Sequence, residues 1–190
     1  MRMDFLEIKN KIATKLTPKR YQHSLGVCET AEILAERFNV NLEQAKIAGI
    51  LHDCAREFTL EGLISYADLY KVELSELEKN HPILLHSYIG AMIAEAEYNI
   101  TDQEILRAIR LHTTGGINMS KLDKIIYLAD AIEVGRCYPG VEEIRECSQV
   151  DLDQAVLLTI DKSIQYVKKR RNILHPDTII ARNELILKAK

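Results

Sequence analysis

The stretch "AGILHDCAREF" (Ala48 to Phe58) decides how the chain is read. Its apolar run, Ala48-Gly49-Ile50-Leu51, has the character of a buried helical face, yet it stops at an imidazole and a carboxylate, His52 and Asp53. Adjacent side chains on a regular helix point about 100° apart. His52 and Asp53 can therefore converge on one object only where the helix is ending. The stretch reads as the end of a core helix that delivers two potential ligands into an interior.

Working outward, nearly every other segment is also helical. From Arg20, the apolar positions Leu25, Val27, Cys28, Ala31, Leu34, Ala35 and Phe38 follow helical spacing. Asn41-x-x-Gln44, Ser75-x-x-Glu78 and Thr101-x-x-Glu104 have the form of capping boxes or their close variants. Ser120 and Asp151 are expected N-caps for helices over 121–133 and 152–169. Pro18, Pro82, Pro139 and Pro176 fall between or at the starts of these segments, and "TTGG" (113–116) and "YPGVE" (138–142) read as loops. No stretch alternates with period two, and there is no repeat, low-complexity segment or long linker. The fold expected is all-α: a single domain over 1–190 with seven to nine helices.

The composition narrows the function classes. A chain of 190 residues can bury a substantial core. With 47% hydrophobic and 28% charged residues it has the balance of a soluble globular protein. Its apolar runs fall short of the ~18 residues that span a bilayer. The start, "MRMDFLEIKNK", puts acids and lysines where a signal peptide needs an apolar run, so a cytoplasmic location without membrane association is expected. Cys28, Cys54, Cys137 and Cys147 show no C-x-x-C spacing and are expected as reduced thiols, three or four of them buried. A net charge of −3 argues against a protein that coats nucleic acid, while leaving room for a small anionic ligand in a local basic pocket. A homodimer is compatible with this composition.

Of the histidines, His23, His52 and His112 sit at suggestive places, and Asp130 lies in the otherwise apolar helical run "YLADAIE". A lone histidine on such a face is more often a hydrogen-bonded core residue than a ligand. A carboxylate is harder to place, because burying it unpaired costs several kcal/mol. Asp130 and Asp53 both need a cation or donor, and one shared cation serves both. Imidazole with carboxylate suits a first-row transition metal such as Fe, Mn, Co or Zn.

The order His23 … His52-Asp53 … Asp130 resembles the HD superfamily of metal-dependent phosphohydrolases. The words "RYQHSLGV" (20–27), "ILHDCAREF" (50–58), "LLHSYIGA" (84–91), "AIRLHTTGG" (108–116), "KIIYLADAIEVGR" (124–136) and "ILHPDTIIARNEL" (173–185) are similar to its YqeK group, symmetrical bis(5'-nucleosyl)-tetraphosphatases. The resemblance runs from about Arg20 to Leu185. It implies the helical HD domain, with core motifs over 20–136 and C-terminal helices over 151–190 closing a nucleotide site. It implies His23, His52, Asp53 and Asp130 as ligands of a metal, iron foremost, with Mn or Co as alternatives. His86 and His112 match further histidines of the group, which bind a second metal or contact phosphate beside a single one. His81 matches none of these words and reads as structural or exposed. The expected "IEPGR" is "IEVGR" here, with Val134 in place of proline.

The implied substrate is a dinucleoside polyphosphate such as diadenosine tetraphosphate, cut symmetrically to two ADP. A metal with open positions lowers the pKa of its water toward ~7 from 15.7. Asp53, His112 and Arg56 are the candidate catalytic residues. Arg20, one helical turn before His23, shares its face. With it, Thr113, Thr114, Glu133, Arg136, Arg170, His175 and Arg182 are the candidate substrate contacts, helped by the Gly115-Gly116 amides. The competing readings are another HD-type nucleotidase or phosphodiesterase and a non-catalytic nucleotide sensor.

Overall fold

Asp4 opens the first helix, α1 (Phe5–Ala13), through a capping box with Glu7. Pro18 sits at the first position of α2 (Pro18–Arg37), where its missing N–H costs no helical bond. Asn41 caps α3 (Leu42–Leu51) by accepting from the Gln44 amide. There follow α4 (Leu60–Leu69), α5 (Glu76–Asn80), a 3-10 turn over Pro82–Leu85 and α6 (His86–Tyr98). The chain continues through α7 (Gln103–Leu111), α8 (Lys121–Ile132), α9 (Val141–Ser148), α10 (Leu152–Lys169) and α11 (Pro176–Lys188). This computed structural model describes residues 3–188, and among them there is no strand.

The all-α class is as expected, with more helices than seven to nine. The excess comes from short pieces, above all the five-residue α5. Periodicity cannot register a single turn of helix, and Pro82 breaks the chain between α5 and α6. Ser75, Ser120 and Asp151 cap their helices as read. At α7 the cap is Asp102, whose carboxylate accepts from the Glu104 amide, and Thr101 lies outside. Only Cys28 and Cys54 are buried; Cys137 is exposed and Cys147 half-buried, because Cys137 falls in the loop after α8.

α8 is the central post. Every residue from Leu122 to Ala129 is buried, and α2, α3, α7 and α10 pack around it. Leu122, Ile125, Ile126, Tyr127, Leu128 and Ala129 turn apolar surface to these neighbours, as a core helix must. Its two interior charges are matched: Arg107 lies 2.8 Å from Asp123, and Lys124 lies 2.6 Å from Asp153. α2 and α3 pack backbone to backbone at Gly49, where an added Cβ would lie 2.9 Å from Cys28 Cα. That contact fixes His23, on α2, against His52, the residue that ends α3.

Candidate metal and phosphate site

Four imidazoles have Nδ1 engaged, three of them by the same device. His52 Nδ1–H donates to the Gly49 carbonyl at 2.8 Å and His112 Nδ1–H to the Ile109 carbonyl at 2.7 Å, each three residues back in its own helix. His86 does likewise to Ile83. His23 Nδ1 faces Glu133 Oε1 at 3.1 Å. With every Nδ1 engaged, every Nε2 is left to point inward, which is the usual way a protein prepares histidine ligands.

The Nε2 atoms meet two carboxylates. His23 Nε2 is 3.0 Å from Asp130 Oδ1. His86 and His112 Nε2 lie 3.3 and 3.5 Å from Asp53 Oδ1. His52 Nε2 stands between the two groups, 3.9 Å from an oxygen of Asp53 and 3.9 Å from one of Asp130. It is fully buried and has no hydrogen-bond partner. Two sets, His23–His52–Asp130 and His52–Asp53–His112, each offer donor atoms within 4.8 Å of one another. The sequence reading gathered His23, His52, Asp53 and Asp130 around one ion. Asp53 Oδ2 lies on the His52 side of the cluster and its Oδ1 faces His86 and His112, so the carboxylate joins the two sets. A buried nitrogen with no partner between two carboxylates fits a divalent cation.

Electrostatics follow from this packing. Burial pulls His52 down to about 4, so its lone pair is free at neutral pH. Burial also lowers His86. Burial acts against protonation of His23 as well, but Asp130 outweighs it and the ring is raised. Asp53 does the same for His112. Burial alone would raise Asp53 and Asp130, but His52 and the hydrogen bonds of His112 and His86 hold Asp53 far below the usual carboxylate range, and His23 does so for Asp130. Both are anions at all physiological pH. His52 and His112 also stand at the ends of α3 and α7, where the helix dipoles are negative.

The cluster floors a cavity of about 820 Å³. Of the candidates read from sequence, Arg20, His23, Asp53, Arg56, His86, His112, Thr113, Asp130, Glu133 and Arg136 line it. Arg20 lies 3.5 Å from Asp53 and 3.3 Å from Glu57. Arg136 bonds both the carbonyl and the carboxylate of Asp130. Thr113 Oγ1 lies 3.1 Å from His112 Nε2 and 3.2 Å from that of His86.

Thr114, Arg170, His175 and Arg182 are not brought to the cavity. Thr114 is buried, with its carbonyl accepting from Thr178, and Arg182 is held by Asp161. Arg170 covers the Tyr166 ring, and His175 sits between Glu78 and Asp177. α11 packs against α10 rather than over the cluster, so its polar residues face elsewhere. The cavity instead uses Thr17, Lys19, Gln22, Glu57, Tyr127, Thr159 and Ser163, which sequence reasoning missed. Lys19 is next to Arg20 and Glu57 next to Arg56, so adjacency to a named cation was the available signal. Thr159 and Ser163, four apart on α10, carried none.

Comparison with known proteins agrees with this geometry. The HD domain family model matches residues 20–135. The chain is 38% identical over 175 residues to the symmetrical bis(5'-nucleosyl)-tetraphosphatase of Bacillus subtilis, covering 92% of this chain and 94% of that one. The protein of the same name from Halalkalibacterium halodurans is also 38% identical, covering 92% and 93%. A crystal structure described as a predicted HD superfamily hydrolase involved in NAD metabolism, from Clostridium acetobutylicum, superposes with a TM-score of 0.96 at 40% identity. It covers 99% of this chain and 100% of its own. With the His-Asp cluster lying inside the matched segment, the chain belongs to the HD domain family.

Proposed function

We propose that this chain hydrolyses diadenosine tetraphosphate symmetrically, giving two ADP, at the cavity above the histidine–aspartate cluster. The observation that carries this reading is the cavity's two-sided chemistry. One side is the imidazole and carboxylate cluster, and the others bear Lys19, Arg20, Arg56 and Arg136. A polyphosphate needs both, a cation-holding centre beside the attacked phosphorus and fixed positive charge for the remaining oxygens. The names of the relatives supply the substrate class.

His23, His52, Asp53 and Asp130 are the residues for one ion, and His86 and His112, with the other oxygen of Asp53, would hold a second. Iron is our choice of metal, with manganese or cobalt as alternatives. Such a metal supplies Lewis acidity and a water acidic enough to attack at neutral pH. Asp53 is the anion on which both edges of the cluster depend. Arg20, tethered by Glu57, and Arg56 receive phosphate oxygens at the mouth. Thr113 offers a hydroxyl beside His86 and His112. In the reaction the water oxygen bonds to a phosphorus, the bridging P–O bond breaks, and one ADP leaves on it. The other ADP keeps the new oxygen, and protons pass to solvent. Symmetry requires that attack fall on a phosphorus second from either nucleoside.

The test is product identification. Purified protein is incubated with diadenosine tetraphosphate and iron or manganese, and the nucleotides are resolved by ion-exchange chromatography. ADP as sole product supports the reading. ATP with AMP overturns the symmetrical assignment. No turnover by metal-loaded protein turns the assignment toward another phosphate ester or a sensor.

A further inference from the structure

Glu133 was read from sequence as a substrate contact, yet its surroundings describe a different task. It is 5% exposed, and its carboxylate is already engaged. Oε1 faces His23 Nδ1 at 3.1 Å, and Oε2 accepts from the Gly135 amide. The space for it is made by two glycines. A Cβ at Gly26 would lie 2.7 Å from Oε2, and one at Gly135 3.0 Å from the same oxygen. Gly26 is on α2, three residues after His23, so the helix that carries the imidazole also carries the notch for its partner. Residue 134 between them is 85% exposed, so its identity does not enter this contact.

His23 has a carboxylate at each nitrogen, Asp130 at Nε2 (3.0 Å) and Glu133 at Nδ1 (3.1 Å). A neutral imidazole has one N–H to give. If it went to Asp130, Nε2 would hold a hydrogen and offer no lone pair to a metal. We propose that Glu133 is the positioning residue of His23. It claims the Nδ1 hydrogen, so that the neutral ring presents Nε2 to the cluster, and the Gly26–Gly135 cradle fixes it in that role. Arg136 fits this tautomer, since its Nη2 lies 3.4 Å from His23 Nε2, on the side where a lone pair would face it.

The inference rests on the cluster being a metal centre, and the experiment separates the two. The decisive variant is E133Q, which keeps volume and shape. Its amide oxygen is taken by the Gly135 N–H, which leaves the NH₂ group facing His23 Nδ1. That nitrogen must then be the acceptor, and the hydrogen moves to Nε2. Imidazole ¹⁵N–¹H spectra of metal-free protein, recorded at alkaline pH where the ring is neutral, read the tautomer directly. Wild type is expected to show Nδ1–H for His23 and E133Q to show Nε2–H, with unchanged melting temperatures. Affinity for Mn²⁺ is expected to fall about 10–100-fold, the usual effect of removing a ligand's outer partner. G26A, which pushes the carboxylate off without changing any ionisable group, is expected to shift the tautomer likewise.

Nδ1–H retained in E133Q, or Mn²⁺ affinity within twofold of wild type, overturns the proposal. A wild-type tautomer in G26A overturns the cradle. Absence of Mn²⁺ uptake by wild type is a different failure and overturns the metal reading instead.

Discussion

The Nε2 atoms of His86 and His112 face each other at 3.2 Å, although each ring has already given its Nδ1 hydrogen to a carbonyl three residues back. Two lone pairs at that distance repel unless a proton or a cation lies beside them. Asp53, within 3.5 Å of both, draws such a cation in. Replacement of Asp53 by Ala is therefore expected to lower turnover more than about 100-fold and to reduce metal content together. Metal analysis alongside steady-state rates checks this. Full activity in Asp53→Ala would remove the basis for the whole site.

In metal-free protein a proton serves in place of that cation. His23 and His112 are raised above 6.5 despite burial, by Asp130 and Asp53 respectively, whereas burial holds His52 at about 4. A metal that takes the Nε2 lone pairs must displace protons from the first two rings wherever these are still held, and none from the third at neutral pH. Metal binding in a weakly buffered solution is expected to release protons, more of them the lower the pH. Affinity rises with pH up to the raised values of His23 and His112 and flattens above them. Affinity independent of pH between 6 and 8 would contradict the assignment.

Arg56 lines the cavity without touching the cluster's nitrogens. Arg56→Ala is expected to raise KM about tenfold or more, as for a lost charge-assisted bond to phosphate. Metal content should stay as in wild type. His81→Ala is the control, for His81 ends α5 and does not line the cavity, and its rate is expected within about twofold of wild type.

Gly49 tests the scaffold. The methyl of Gly49→Ala would stand 2.9 Å from Cys28 Cα, a backbone atom that cannot step aside. The two helices must separate, at about 1–3 kcal/mol. For a chain of this length that is a melting temperature lower by roughly 2–4 °C per kcal/mol. Because His52 and His23 are set by this crossing, metal affinity should fall with it. Thermal denaturation and metal titration on the same sample would show whether the two move together.

The sequence was informative where chemistry is local. Capping side chains, prolines and the apolar run before His52 announced the helices and the point where α3 ends. A carboxylate in an apolar run, Asp130, announced a buried need for positive charge. What could not be read is how distant faces meet. Arg182 and His175 belong to a word like those around the cluster, yet Arg182 on α11 meets Asp161, and His175 just before that helix sits between Glu78 and Asp177. The contact of Glu133 with His23 was not legible, because one sequence does not show that Gly26, more than a hundred residues away, leaves a notch for it. The alternation of Nδ1 bonds to backbone carbonyls was equally hidden, since any histidine near a helix end can make one.

The partnerless Nε2 of His52 has a consequence for the lifetime of the protein itself. A cation that satisfies it binds the folded chain and not the unfolded one, so it adds stability by mass action, about 2.7 kcal/mol at a hundredfold excess over Kd. Proteases attack the opened state in proportion to its population. The same scarcity of metal that stops turnover would thus leave the chain easier to degrade, and its abundance would follow the metal supply.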